Sequence, residues 1–188
     1  MSITLDNLKS LATKEGLKYF LAPDRPALLM GFSGLTGSYQ VVMVLELEGR
    51  FLQFRTIGYA SCPVGHPHLD AVLRVLGSLD YKLRLTKFGW DPSDGEIVGY
   101  VDLWLEDGSL TQKQFASMLA AFLPAIDMGH ERIARTIETG VDPGGFGSGT
   151  GDEGLSRIRA LLAGKPGDAG GPRDPGGTPG LDNGPDRI

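Results

Sequence analysis

The sequence contains a single cysteine, Cys62, among its 188 residues. One cysteine cannot form a disulfide within its own chain, so no covalent cross-link is expected to stabilise the fold. A chain without structural disulfides is compatible with a reducing compartment, where thiols stay reduced. We therefore expect a cytoplasmic protein.

An excess of positive charge is also missing. Lysine and arginine together number 18, against 23 aspartate and glutamate residues, which gives a formal net charge of −5. A protein that binds nucleic acid usually presents a basic surface that neutralises phosphate groups. The charge balance therefore argues against nucleic acid as a partner.

Long hydrophobic runs are absent as well. The most apolar stretch, VVMVLEL at residues 41–47, is interrupted by Glu46. It is far shorter than the ~20 apolar residues that a membrane-spanning helix needs. The first 16 residues, MSITLDNLKSLATKEG, do not place an apolar segment after a basic one, as a secretory signal does. We expect neither a membrane partner nor export.

Glycine and proline are distributed unevenly along the chain. Of the 28 glycines and 12 prolines, 15 glycines and six prolines lie between Gly140 and Pro185. A segment of this composition buries too little apolar surface to order itself. We predict a folded domain at residues 1–140 and a disordered Gly/Pro-rich tail at residues 141–188, and the tail includes one short stretch with helical spacing at residues 152–163.

This stretch, DEGLSRIRALLA, begins with acidic residues and is followed by a glycine, as helices often are. Its apolar side chains recur at helical spacing at positions 155, 158, 161 and 162. An isolated helix of this length is only marginally stable in water. It can dock on its own domain or fold in a groove of another protein, and the sequence favours neither.

The pattern of the first 140 residues indicates three helices and six strands. Apolar stripes at helical spacing, a Thr111–Gln114 capping box and Gly140 as a terminator define the helices. Short connectors between the strands favour antiparallel pairing. The order α-β-β-β-(β)-α-β-β-α predicts an α+β fold, an antiparallel sheet with helices packed on it, with helices at 4–15, 67–79 and 111–139 and strands at 17–22, 27–33, 39–47, 50–57, 82–90 and 96–105.

Three stretches carry a resemblance to a known family. They are GRFLQFRT followed by CP, the hairpin LRLTKFGWDPSDGEIVGYVDLWLEDGSLT, and the helix QFASMLAAFLPAID. Together with the element order, they resemble the YbjN-domain family, which is related to the type III secretion chaperone-like (CesT-like) fold. The resemblance covers residues 2–139. It implies a non-enzymatic, commonly dimeric binding module, in a branch described as regulators of sensory transduction.

The stretch YASCPVGHPHLD places Cys62 close to His66 and His68, which are residue types that bind metals and take part in nucleophilic catalysis. A closed zinc site needs four such ligands, and a nucleophilic cysteine needs an oriented base. The alternative is a loop that leads into a helix, with Pro67 at the first helical position. We favour the loop, so no metal-binding or catalytic residue is expected.

The strands of the sheet are apolar on both sides, whereas a sheet with one solvent-exposed face should alternate apolar and polar residues. A helix of the same chain, a dimer partner or a bound client can cover the second face. Aromatic surfaces of this kind are typical of interfaces. The candidate protein-interaction residues are Phe88, Trp90, Tyr100 and Trp104.

These observations lead to two functional hypotheses. The first is a non-enzymatic protein-binding module, chaperone-like or a regulatory adaptor, that forms a homodimer, binds a protein client and uses no cofactor. The alternative is a metal-binding protein or a metal-dependent enzyme centred on Cys62, His66 and His68.

Overall fold

The computed structural model describes residues 2–106 and 109–144. Three helices and seven strands follow one another along the described chain, and a short 3-10 turn separates β3 from β4. The elements are α1 (Leu5–Lys14), β1 (Phe20–Leu21), β2 (Ala27–Ser33), β3 (Ser38–Glu46), β4 (Phe51–Ile57), β5 (Ala60–Ser61), α2 (Leu69–Lys82), β6 (Lys87–Trp90), β7 (Glu96–Trp104) and α3 (Gln112–Thr139). The predicted tail with its helical stretch at 152–163 lies outside the described residues, except for residues 141–144.

Local sequence signals explain where two of the helices begin. Thr4 caps α1 by accepting a hydrogen bond from the backbone N–H of Asn7, whose side chain accepts one in return. Thr111 and Gln114 form the same reciprocal pair at the start of α3, as the sequence predicts. Each pair satisfies N–H groups that the first helical turn otherwise leaves without partners.

The strands form one antiparallel sheet. Neighbouring strands follow the order β1-β2-β3-β4-β7, with β5 continuing the line of β4 along β7. Strand β6 pairs with the other edge of β7, so β1 and β6 are the two edge strands. This arrangement confirms the predicted α+β class.

All three helices contribute to one hydrophobic core on one face of the sheet. Alternate strand residues such as Val41, Phe54 and Val101 point into this core, where they cluster with buried residues of the helices. Phe54, for example, packs edge-on against Phe115 and Phe122 of α3. In the described part of the chain, no helix is long and apolar enough to cross a membrane.

Helix α3 continues past Pro124, which lacks the N–H that would bond to the preceding turn. The carbonyl of Ala121 in that turn accepts a hydrogen bond of 3.3 Å from the buried hydroxyl of Thr86. A side chain from outside the helix therefore supports the turn where the proline disturbs the backbone ladder.

The boundary between α2 and β6 differs from the sequence prediction, which placed a strand at residues 82–90. The helix extends to Lys82 and the strand begins at Lys87. Lys87 explains the difference, because its ammonium group donates to the carbonyls of Asp80 and Leu83 at the end of the helix. A cation at a helix C-terminus stabilises the last, otherwise unpaired carbonyls. The first strand is also shorter than expected, at two residues.

A buried carboxylate joins α3 to the turn between β2 and β3. Asp127 accepts hydrogen bonds from the backbone N–H groups of Leu35 and Thr36 at 2.7 and 2.9 Å, and from the hydroxyls of Thr36 and Tyr39 at 3.0 Å each. Burial by itself raises the pKa of this carboxyl, but the hydrogen bonds outweigh burial and hold the pKa below its ordinary value of 3.8. The ionised form is therefore the one that the fold stabilises.

Asp127→Ala is expected to lower the free energy of unfolding by about 2 kcal/mol, because it removes the acceptor of the Leu35 and Thr36 N–H groups and of the buried Tyr39 hydroxyl. Urea denaturation at neutral pH measures the change. Asp102→Ala is the matched control, since it removes an exposed carboxylate, and it should change stability by less than ~0.5 kcal/mol.

The same pair of proteins gives a pH test. A carboxyl whose pKa is lowered in the folded state contributes stability above the pKa of the unfolded chain, and this contribution is lost as the pH falls through the folded pKa. The stability difference between wild type and Asp127→Ala should therefore shrink below about pH 4. A difference that stays constant with pH would show that ionisation of Asp127 does not matter.

Candidate functional site: the outer face of the sheet

The face of the sheet opposite the helices is called the outer face here. Its residues alternate along each strand with those of the core, and the strand register places them side by side. Within residues 2–106 and 109–144, the helices all contribute to the core on the other face. The outer face comprises Ala27, Leu29, Val42, Val44, Phe51, Gln53, Arg55, Val98, Tyr100, Asp102 and Trp104.

The centre of the outer face is apolar. Ala27, Val42 and Val44 form a buried cluster of their own, separate from the main core, with Ala22 and Leu29 packed against it. Within the described residues, the members of this cluster come from strands and the β1–β2 loop and from no helix. The second face that the sequence predicts to be apolar is therefore present, and no described helix covers it.

An aromatic pair lies where β4 meets β7. Phe51 and Trp104 are directly opposite each other in the strand register, and their rings contact edge-on with centroids 5.2 Å apart. Trp104 is nevertheless 61% exposed. A large aromatic ring that is held in place yet accessible to solvent is a favourable anchor for a binding partner, because little conformational entropy remains to be lost.

A cleft of about 450 Å³ opens on the outer face next to the β6–β7 turn. Apolar parts of Trp90, Pro92, Val98 and Tyr100 line it. The Tyr100 hydroxyl makes no hydrogen bond to the described residues and is available to a ligand. Burial, with smaller contributions from Asp102 and Asp80, raises the pKa of Tyr100, so the phenol is neutral near pH 7 and can donate.

Polar residues of the cleft are mostly paired with one another. Arg55 donates to Glu96 at 2.6 Å, and Gln53 donates to Asp102 at 2.8 Å across the β4–β7 pair. Both members of the Arg55–Glu96 pair are partly exposed, so the pair contributes little to stability. Its effect is to neutralise the one arginine of the cleft and leave the exposed carboxylate of Asp91 at the rim.

The four aromatic residues predicted to contact a partner do not form one surface. Tyr100 and Trp104 lie on the outer face, whereas Phe88 is only 4% exposed and belongs to the core. Phe88 pairs with Gly99, and both lie on the helix side of the sheet. In this monomer Phe88 is a packing residue, and its role in contacting a partner stays a prediction that the geometry does not favour.

Close approach between α3 and the sheet explains the burial of Phe88. A Cβ atom on Gly129 of α3 would lie 2.6 Å from the Phe88 ring, and one on Gly99 of β7 would lie 3.3 Å from it and 2.8 Å from Ile126. The ring therefore occupies space that only glycine leaves open on both sides. These two glycines are the sequence signal by which the position of the ring could have been recognised.

Trp90 occupies an intermediate position. Its indole N–H donates to the backbone carbonyl of Cys62 at 2.8 Å, and the ring packs against the main core while it also borders the cleft. Trp90 therefore links the loop that contains Cys62 to the edge strand. Its value as a contact residue also stays a prediction.

Cys62, His66 and His68 do not converge on a common point. The Cys62 side chain is fully buried in the core, and burial raises the pKa of its thiol. His68 Nδ1 lies 2.8 Å from the carbonyl of Ile137, and His66 Nδ1 accepts from the backbone N–H of His68 at 3.2 Å. Among the described residues, no group of three potential metal ligands is present. The stretch forms the loop before α2, which begins at Leu69, two residues later than expected.

A second cavity, of about 350 Å³, lies beside α3 and was not predicted from the sequence. The His130 ring packs edge-on against Tyr39 and Tyr59, with centroids 5.3 Å away in both cases, and burial lowers the pKa of the imidazole. Both tyrosine hydroxyls have partners in the protein, on Asp127 and the carbonyl of Ile126. Since these polar groups are already satisfied, we assign the cavity a packing role.

The burial of Cys62 gives a direct test of the loop assignment. Native protein should not react with a thiol reagent such as 5,5′-dithiobis(2-nitrobenzoic acid), because the reactive thiolate requires a lowered pKa and access to solvent. Labelling of Cys62 should become complete over the same range of urea concentration in which the protein unfolds. Rapid labelling of the native protein would place the thiol in an accessible, reactive environment and reopen the alternative centred on Cys62.

The first of two comparisons with solved structures supports the same fold. The crystal structure of YbjN from E. coli, titled "a putative transcription regulator", has a TM-score of 0.55 and 17% sequence identity, and the match covers 71% of this chain and 94% of that one. A chain of the HopA1–SchA chaperone–effector complex has a TM-score of 0.47 and 11% identity, covering 66% of this chain and 90% of that one. At these identities the similarity concerns the fold alone. The comparison with curated proteins finds no match.

The sequence match is more specific than the structural ones. The model of one family, described as "Putative bacterial sensory transduction regulator", matches residues 4–135. That span includes α1, the whole sheet, α2 and most of α3. The chain therefore belongs to the YbjN family.

Proposed function

We propose that the protein is a non-enzymatic, cytoplasmic adaptor that binds a protein partner through the outer face of its sheet. The observation that carries the proposal is Trp104, which is held against Phe51 and yet exposed, on the same face of the sheet as a cleft lined by Tyr100 and Val98. The adaptor needs no cofactor for this role. Its family description, a regulator of sensory transduction, supports a regulatory use of the binding.

The composition of the outer face supports protein recognition. An antiparallel sheet with one solvent-exposed face is expected to carry polar side chains there. Here the apolar cluster around Val42 and the Phe51–Trp104 pair both lie on this face, with Gln53 opposite Val44 and Glu46 opposite Phe51. Contiguous apolar surface rimmed by polar residues is typical of interaction sites, and tryptophan and tyrosine are enriched among the residues that dominate binding energy.

The charges of the outer face also suit a protein partner. The guanidinium of Arg55 is bonded to Glu96, and the carboxylate of Asp102 accepts from Gln53, so the pairs are formed before a partner arrives. A partner that covers the Arg55–Glu96 pair does not bury an isolated charge, which would cost far more free energy, whereas the carboxylate of Asp102 is bonded to a neutral amide and keeps its charge. The face therefore presents the exposed ring of Trp104 together with polar groups that already have hydrogen-bond partners.

Trp104→Glu is expected to weaken partner binding about tenfold or more, because it replaces an aromatic anchor with a charge that must be desolvated. Stability should change little, since the ring is mostly exposed. The measurement is affinity capture from the native host with wild-type and variant chains, followed by the affinity of the recovered partner for each.

Tyr81→Glu is the matched control. Tyr81 is 92% exposed near the end of α2, away from the outer face, so the variant makes the same kind of change elsewhere on the surface. It should retain partner binding. If both variants, or neither, lose the partner while remaining folded, the outer face is not the binding site.

We further propose that the chain forms a homodimer. Multi-angle light scattering of the full-length protein should then give a mass about twice the 20.1 kDa of one chain. A mass equal to that of one chain over the concentration range used for partner binding would contradict the dimer, and it would leave the proposal for the outer face intact.

A further inference from the structure

Helix α2 packs against the protein on one side only. The packed side faces β6 and α3 and carries the buried residues Val72, Val75, Leu76 and Leu79. On the opposite side, Leu73 is 38% exposed and Tyr81 is 92% exposed, with the exposed Gly77 between them. These three positions are four residues apart, so they lie along one line of the helix surface. The line is called the α2 ridge here.

The glycine in the middle of the α2 ridge is not required by the described part of its own chain. Gly77 has no positive φ, and a Cβ atom there would meet nothing within 4 Å. Gly99 and Gly129 differ, because they leave the space that Phe88 occupies. Glycine is the least favourable residue in a helix interior after proline. We therefore expect Gly77 to serve the close approach of another backbone.

The apolar residues of the ridge match each other across Gly77. In a two-fold dimer with antiparallel α2 helices and its axis at Gly77, each residue is level with the residue equally far beyond Gly77 in the second copy. The fourth residues on the two sides are Leu73 and Tyr81. At a helix separation of ~8 Å, the Cβ atoms of this pair come within about 5 Å of each other. Leucine and tyrosine therefore cover each other on both sides of the axis.

The charged residues along the ridge match in the same way. The third residues from the glycine are Arg74 and Asp80, and the seventh are Asp70 and Arg84. Each pair joins a cation to an anion. Among the described residues, no ion pair includes any of these four side chains. Asp80 uses one carboxylate oxygen as a hydrogen-bond acceptor within the domain, which leaves the other for an arginine of a second copy.

This reversed match identifies the partner that fits the ridge. A two-fold interface uses the same surface on both subunits, so that surface must be complementary to itself. Because the ridge lies opposite the packed side of α2, the rest of each copy extends away from the axis. A contact confined to one helix face is small, so we expect a weak dimer whose mass depends on concentration.

We propose that two copies of the chain pack through the α2 ridge, antiparallel and related by a two-fold axis at Gly77. This interface specifies where the proposed homodimer forms and rests on that part of the proposed function. It lies on the helix side of the sheet, so it leaves the outer face of both copies open to a protein partner.

Sedimentation equilibrium of the full-length chain over a wide concentration range measures the dissociation constant of the dimer. Leu73→Glu should raise this constant at least tenfold, because it places a charge against Tyr81 of the second copy. Leu47→Glu is the matched control, since Leu47 is 49% exposed in the turn between β3 and β4 and the same change is made away from α2. The control should leave the constant unchanged, and circular dichroism checks that both variants fold.

Two charge reversals test the register of the helices. Arg74→Glu places a carboxylate level with Asp80 of the second copy, and Asp80→Lys places an ammonium group level with Arg74, so each variant alone should associate poorly. An equimolar mixture pairs opposite charges at both positions. The mixture should form a heterodimer at least tenfold more tightly than either variant associates with itself.

The folding of one of these variants needs its own check. Asp80→Lys removes the acceptor of the Phe88 N–H, so urea denaturation must show that it unfolds cooperatively. If it does not fold, Asp70→Arg and Arg84→Glu give the same test at the outer pair. Both positions are exposed, so reversal of their charges should not disturb the fold.

Three results would overturn the interface. They are equal dissociation constants for Leu73→Glu and its control, a mixture that associates no more tightly than its components, and a wild-type chain that is monomeric at every concentration. The third result also removes the homodimer, whereas the first two leave the homodimer and exclude α2. Failure of partner binding appears separately, in the Trp104→Glu assay, whose control Tyr81→Glu should weaken the dimer and keep the partner.

Discussion

The close packing of α3 on one face of the sheet is the constraint on which the rest of the structure depends. Gly99 and Gly129 allow the helix and β7 to approach with the Phe88 ring between them, and Asp127 binds the same helix to the β2–β3 turn. The core is thereby completed on one side. In the part of the chain that the structure describes, the other side of the sheet has strands and loops but no helical layer.

This asymmetry relates the fold to the proposed role. A folded adaptor must present apolar surface without losing the core that stabilises it, and here the two demands fall on opposite faces of one sheet. The side chains that stabilise the monomer, such as Phe88, are therefore distinct from those available for recognition, such as Trp104.

Much of the fold was predictable because local chemistry specifies it. The capping box at Thr111, the apolar stripes of the helices and the short connectors between strands each depend on residues within a few positions of one another. The boundary at residues 82–87 was predicted wrongly although the contacts there are also short-range. There Lys87 bonds back to carbonyls at the end of α2, and this contact overrides the strand propensity of the intervening residues.

The sequence by itself determined the α+β class, the family and the presence of apolar side chains on both sides of the strands. It also showed that Phe88 and Trp90 share one side of their strand, because strand side chains alternate with a period of two. Only the tertiary structure decided which side that is: the register pairs Phe88 with Gly99, on the core side of β7. Periodicity shows which residues of one strand share a side. Which of the two sides points into the core depends on pairing and packing with distant parts of the chain.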